Sequence, residues 1–206
     1  MNSTIVPFDG PSVGDFGGPE FYDILDIGGG SFGAGVNFAF SDNLVLDLGY
    51  STGDGNNGDI GIFDNYEYIA QLNFLSDGLI DAAVAYLDGN AEGGEAVDYV
   101  IAGLLNLDFG GFEVGGYYAF VEDEDGFDVD DSWMAGASFT DFLSTGNTLG
   151  AYVGESSNEA FDFVAEGYYE FALNEFITIT PAILYAELDD DDDDAFYGVL
   201  RTTFRF

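Results

Sequence analysis

Residues 32–50 read FGAGVNFAFSDNLVLDLGY. In the first nine, Phe32, Ala34, Val36, Phe38 and Phe40 fall on one side of an extended chain, and Gly33, Gly35, Asn37 and Ala39 on the other. A period of two is that of a β-strand, whose successive side chains point to opposite faces. Ser41, Asp42 and Asn43 then make a tight polar turn. Leu44, Leu46, Leu48 and Tyr50 resume the apolar face against Val45, Asp47 and Gly49. The stretch is a β-hairpin with one apolar face and one face of small and polar residues.

The same plan recurs to the end of the chain. Tyr66, Tyr68, Ala70, Leu72 and Phe74 oppose Glu67, Ile69, Gln71 and Asn73. Phe161, Phe163, Ala165, Tyr169 and Phe171 oppose Asp162, Glu166, Tyr168 and Glu170. Eleven strands can be counted, the last within FYGVLRTTFRF at residues 196–206. Their connections alternate between short turns, such as 41–43 and 110–111, and long acidic loops, such as 52–65, 88–96 and 122–131. That alternation defines two unlike ends of an antiparallel meander, the pattern of an outer-membrane barrel with short periplasmic turns and long external loops. Aromatics recur near the strand ends, among them Phe40, Tyr50, Tyr66, Phe74, Tyr86, Phe109, Phe112, Phe120 and Phe139, as in girdles at the lipid headgroups. A soluble sandwich alternates too, but needs no such placement.

Charge narrows the function. Forty Asp and Glu face two Arg and no Lys, a formal charge of −38, yet 47% of residues are apolar and 17% aromatic. So much apolar material argues against a disordered acidic chain. Without Cys or His there is no disulfide framework, thiol nucleophile or His-based triad, so an enzyme is not expected. A chain so acidic would repel nucleic acid and anionic lipid surfaces.

Three segments carry a resemblance: residues 177–206, ITITPAILYAELDDDDDDAFYGVLRTTFRF; residues 40–74, FSDNLVLDLGYSTGDGNNGDIGIFDNYEYIAQLNF; and residues 141–154, DFLSTGNTLGAYVG. Together they resemble the cyanobacterial outer-membrane porins related to the OprB carbohydrate-selective porins. The resemblance implies a trimeric or monomeric porin of the cell outer membrane that passes ions and small solutes, with iron and sugars both proposed as cargo for relatives. It also implies a C-terminal strand read by the barrel-assembly machinery, and a longer parent with a signal peptide, an S-layer homology domain and more strands.

The expected fold is all-β, an antiparallel up-and-down transmembrane β-barrel over residues 32–206, with residues 1–31 as an N-terminal strand or external loop. Eleven strands cannot close antiparallel. A twelfth from residues 3–8 or 20–27 would give a barrel of about twelve; otherwise the chain is part of a larger barrel of ~16 to 18 strands.

Facing a wet lumen, Asp47, Glu67, Asp81, Asp98, Glu113, Asp162, Glu166 and Glu170 would attract cations and exclude anions. Small Gly and Ala fill many of the other inward positions, as suits a wide lumen that needs no packing. Arg201 and Arg205 alternate with the apolar face of the last strand and so point inward, since a cation facing lipid would cost roughly 2 to 4 kcal/mol at the midplane. The run Asp189, Asp190, Asp191, Asp192, Asp193 and Asp194 is read as a solvated, cation-attracting loop, at most a weak Ca²⁺ ligand, without EF-hand spacing. No other cofactor is expected. Glu166 and Glu170 lack the cleft and platform of a glycosidase. The leading function is a passive, cation-preferring porin; the alternatives are a soluble secreted Ca²⁺-binding β-protein and a non-conducting structural barrel.

Overall fold

The computed structural model describes residues 20–23, 32–52, 66–76, 78–90, 97–123, 131–155, 163–187 and 194–205. Eleven strands form one antiparallel sheet: β1 (Phe32–Ala39), β2 (Leu44–Thr52), β3 (Tyr66–Phe74), β4 (Ile80–Asn90), β5 (Val97–Asp108), β6 (Phe112–Asp123), β7 (Ser132–Thr140), β8 (Thr148–Glu155), β9 (Phe163–Asn174), β10 (Ile177–Glu187) and β11 (Asp194–Phe204). Each strand pairs with its chain neighbours alone, so the topology is up-and-down, with β1 and β11 as the two edges of an unclosed sheet. In the opening hairpin Val36 lies opposite Leu48, Asn37 opposite Asp47 and Phe38 opposite Leu46, which keeps apolar against apolar and polar against polar.

The turns at one end are tight, and side chains close them. Ser41 Oγ accepts from the backbone N–H of Asn43 and Leu44 at 3.3 and 3.1 Å. Between β5 and β6, Asp108 accepts from Gly110 N at 2.6 Å, and Gly110 takes φ 84°, a left-handed conformation in which a Cβ would crowd the following carbonyl.

The expected twelfth strand is not found among the described residues. Residues 3–8 lie outside them, and of 20–27 the described part, Glu20–Asp23, is a 3-10 turn. A strand would send the adjacent Phe21 and Tyr22 to opposite faces. The turn instead lays both against one wall: Phe21 is fully buried, its ring 5.4 Å from that of Tyr117, and the Tyr22 hydroxyl donates to Gln71.

The two faces of the sheet differ sharply. Along β5, Val100, Ala102, Leu104 and Asn106 are buried while Ile101, Gly103 and Leu105 are exposed. The buried set and its counterparts on neighbouring strands define an inner face. Ala83, Ala85, Leu87, Val100, Ala102 and Ala119 cluster there with Phe21. The inner face is therefore packed over β4 to β7, where alternation alone suggested open space.

Candidate functional site

The outer face carries two aromatic bands. At the end of the long connections Tyr50, Tyr66, Tyr68, Tyr86, Tyr99 and Phe120 follow one another across β2 to β6 with ring centroids 5.7 to 6.5 Å apart. At the short-turn end Phe109, Phe112, Phe139, Phe142, Tyr169 and Phe171 run from the β5–β6 turn to β9 at 4.3 to 6.4 Å. Tyr99 and Phe109 lie ten residues apart. At a rise of ~3.3 Å per residue and a tilt of ~40°, that is a vertical separation of roughly 25 Å, the height of the apolar belt on a membrane barrel. Between the bands the outer face exposes apolar side chains, including Leu72, Val84, Ile101, Leu105, Ile183 and Leu200.

Two donors hold a carboxylate among the tyrosines of the first band. Tyr68 and Tyr86 donate to Asp88 Oδ2 at 2.8 and 2.6 Å. Asp88 read from sequence simply as the start of a loop; its place on the outer face follows from β4 running on to Asn90.

The inner face has two tiers. Toward the short turns it is polar, and hydrogen bonds tie it across strands. Asn37 Nδ2 and Asn73 Nδ2 both donate to Asp47, at 2.6 and 2.8 Å, and Gln71 Nε2 donates to Asn73 Oδ1 at 2.6 Å. The chain β1–β2–β3 thus ends on Gln71, which receives Tyr22. Higher up, β4 to β7 form the apolar wall under Phe21, and Tyr168, Ala182 and Leu184 make a second cluster on β9 and β10.

The sequence-derived lining residues fall as follows. Asp47, Glu67, Asp81, Glu113 and Glu170 are half-buried, and each occupies an inner-face position of its strand. Glu67 accepts from Ser51 Oγ at 2.6 Å, and Asp81 from Ser76 N at 2.6 Å. Glu166 is buried and accepts from Tyr152 OH at 2.8 Å. Arg201 is half-buried opposite Thr180, whereas Arg205 is exposed just beyond β11. Asp98 is exposed where the β5–β6 register shifts between Val97 and Tyr99, the extra residue of a bulge. Asp162 and residues 189–193 lie outside the described residues, and Asp194 is the exposed first residue of β11, opposite Glu187. Among the described residues no three Asp or Glu side chains are grouped so as to hold a metal ion.

Sequence reasoning missed Phe21 and Tyr152. Phe21 precedes every alternating stretch, so no periodicity marks it. Tyr152 occupies an inner position, and only the register across strands shows what it faces.

An antiparallel meander with tight turns at one end and an aromatic-bounded apolar outer face is the kind of sheet from which up-and-down transmembrane β-barrels are built. Two engineered variants of the Rhodopseudomonas blastica porin superpose with TM-scores of 0.63 and 0.64 at 16% and 15% identity, over 90% of this chain and 58% of theirs. At that identity the likeness is one of fold. In sequence the chain is similar to the uncharacterized protein alr4550 of Nostoc sp. (strain PCC 7120 / SAG 25.82 / UTEX 2576), 26% identical over 236 residues. The match takes in 89% of this chain and 40% of that protein, so the chain spans less than half of that relative's length. No family model matches the chain.

Proposed function

We infer that the chain forms part of the wall of an outer-membrane diffusion channel for small hydrophilic solutes, with a preference for cations. The observation that carries this reading is the outer face: two aromatic bands set roughly a bilayer's apolar height apart, with apolar side chains between them. Cation preference follows from the inner carboxylates Asp47, Glu67, Asp81, Glu113, Glu166 and Glu170, met by just two arginines in the whole chain. The finer reading, an OprB-like porin that assembles as a trimer, rests on the three sequence segments; the Rhodopseudomonas blastica porin supports its fold. Lipid would cover the outer face, the barrel-assembly machinery would read the last strand, and Ca²⁺ would be at most a weak occupant of the acidic loops.

Swelling of liposomes that carry the full-length protein, in a series of sugars and salts of graded size, tests the function. Uptake should fall smoothly with solute size and favour salts of small cations. Swelling no faster than in protein-free liposomes would rule the channel out.

Phe21 favours a second reading. Its ring packs on the inner wall against Tyr117 of β6. There it either narrows the passage or closes it, the latter making a structural barrel. Phe21→Ala decides: a larger unitary conductance than the parent's marks a constriction, and current in the variant alone marks a plug.

A further inference from the structure

We propose that Leu143, on the turn between β7 and β8, is an apolar anchor that inserts among the glycerol and upper acyl groups of the lipid and fixes the depth of the short-turn end. The proposal rests on the reading that the outer face meets lipid, and not on conduction.

The turn, residues 141–147, is the longest of the tight connections, and it is strapped to the outer face. Tyr169, a member of the short-turn aromatic band on β9, holds both of its sides: the hydroxyl donates to Phe142 O and accepts from Asn147 Nδ2, each at 2.9 Å. Asn147 Oδ1 accepts from the backbone N–H of Ala172 at 3.1 Å. The Phe142 ring takes its place in the band, 6.4 Å from Phe139 and 6.2 Å from Tyr169. Inside the turn Asp141 Oδ1 accepts from Gly146 N at 2.6 Å, and Phe142 N donates to Asn147 O at 3.2 Å. The residue after Phe142 is therefore carried at the border of the apolar belt, on the side that would meet lipid.

The identity and conformation of that residue point the same way. Leu143 is 85% exposed, more than any other large apolar side chain among the described residues. Its φ is 63°, in the left-handed region. Asp141 and Gly146 also take positive φ, 55° and 84°, but aspartate tolerates that region and glycine is at home in it, whereas in a leucine the Cβ crowds the following carbonyl. Such a conformation persists where the surroundings fix it, as the Tyr169 and Asn147 hydrogen bonds do here. A turn in water gains nothing by holding a leucine out in this way, and Asn or Gly would fit its backbone better. Continuous with Phe142 and the apolar belt, the same leucine has its surface removed from water once lipid covers it. The turn's single carboxylate, Asp141, is engaged with Gly146 N.

The test is depth-dependent fluorescence of Leu143→Trp in the full-length protein folded into phosphatidylcholine vesicles, with Trp133, the one tryptophan of the sequence, changed to Phe. An interfacial group lies roughly 5 to 10 Å into the headgroup–acyl boundary, so bromine placed near the glycerol should quench the introduced indole about twofold or more, and bromine at the chain ends much less. Emission as in water, open to acrylamide and untouched by either lipid, would overturn the anchor. An indole shielded from acrylamide yet untouched by bromine would overturn it too, and would assign Leu143 to contact with a second copy. Because tryptophan itself seeks the interface, Leu143→Asn supplies an independent arm. Asparagine suits the left-handed backbone, so relief of strain alone would raise the denaturant midpoint for unfolding from vesicles. The anchor predicts a lower midpoint, with Leu143→Met unchanged; a midpoint at or above the parent's would contradict it. Flotation and planar-bilayer current separate the proposal from the readings it stands beside. Protein that does not float with the vesicles sinks both the lipid-facing assignment and the anchor, and protein that floats with a water-exposed indole sinks the anchor alone. A lipid-quenched indole in a protein that passes no current upholds the anchor and sinks the channel.

Discussion

Tyr152 and Glu166 show how single side chains settle the inner wall. Glu166 is 3% exposed and takes a 2.8 Å hydrogen bond from Tyr152, itself buried, across the β8–β9 pair where the two residues lie opposite each other. A buried carboxylate needs donors, since desolvation without them is costly. Tyr152→Phe should therefore lower stability by about 1 to 3 kcal/mol with little change in packing, seen as an earlier unfolding midpoint in guanidinium. A midpoint within error of the parent's would mean that water already serves Glu166. Phe21 acts at the same scale by packing. Truncating a buried Phe costs about 3 to 5 kcal/mol in a soluble core, so Phe21→Ala should release the segment around it from the wall. Increased proteolysis near residue 21 would report that release, and an unchanged digest would deny it.

At the scale of elements, the strands were legible and their bulges were not. Period-two alternation in residues 32–50 and 66–74 is steep because one face is aliphatic and aromatic while the other carries Asn, Asp and Gln, so a one-residue slip would invert every side chain. The turns announced themselves through Ser-Asp-Asn and Gly-Gly. The bulge at Asp98 adds a residue that no local signal reveals. Residues 20–23 were open to a strand reading because their fate depends on a distant wall, Tyr117 and Gln71. The polar ladder Asn37–Asp47–Asn73–Gln71 was visible as polar positions, but its connectivity needed register. Glycine marks one further constraint between elements. A Cβ on Gly116 would sit 2.2 Å from the carbonyl oxygen of Met134, a backbone atom of the β6–β7 ladder. Gly116→Ala should force those strands apart and cost more than the ~1 kcal/mol that Gly→Ala usually gains, read as poorer folding yield into vesicles. A yield equal to that of the parent would show the pair to be more compliant than its spacing implies.

Over the whole molecule, the account turns on which face meets lipid. The −38 charge is unevenly spread: the outer apolar belt is bounded by aromatics, and carboxylates gather on the inner face and in the long connections. Arg201 sits on the half-buried inner side of β11, one residue from Leu200, which is 69% exposed. Leu200→Arg would place a cation in the belt and should cost roughly 2 to 4 kcal/mol of folding free energy in lipid vesicles, whereas Thr203→Arg on the inner side should cost much less. Equal penalties would contradict the assignment of faces. Composition and periodicity were enough to reveal the wall. What lies against the wall was hidden, because Phe21 packs on Tyr117, far along the chain. The most direct measurement of the central claim is the current carried by the full-length protein in a planar bilayer under a salt gradient. Stepwise ohmic increments with a reversal potential toward that of the cation are expected; a monodisperse protein that stays soluble without detergent and gives no steps would contradict it.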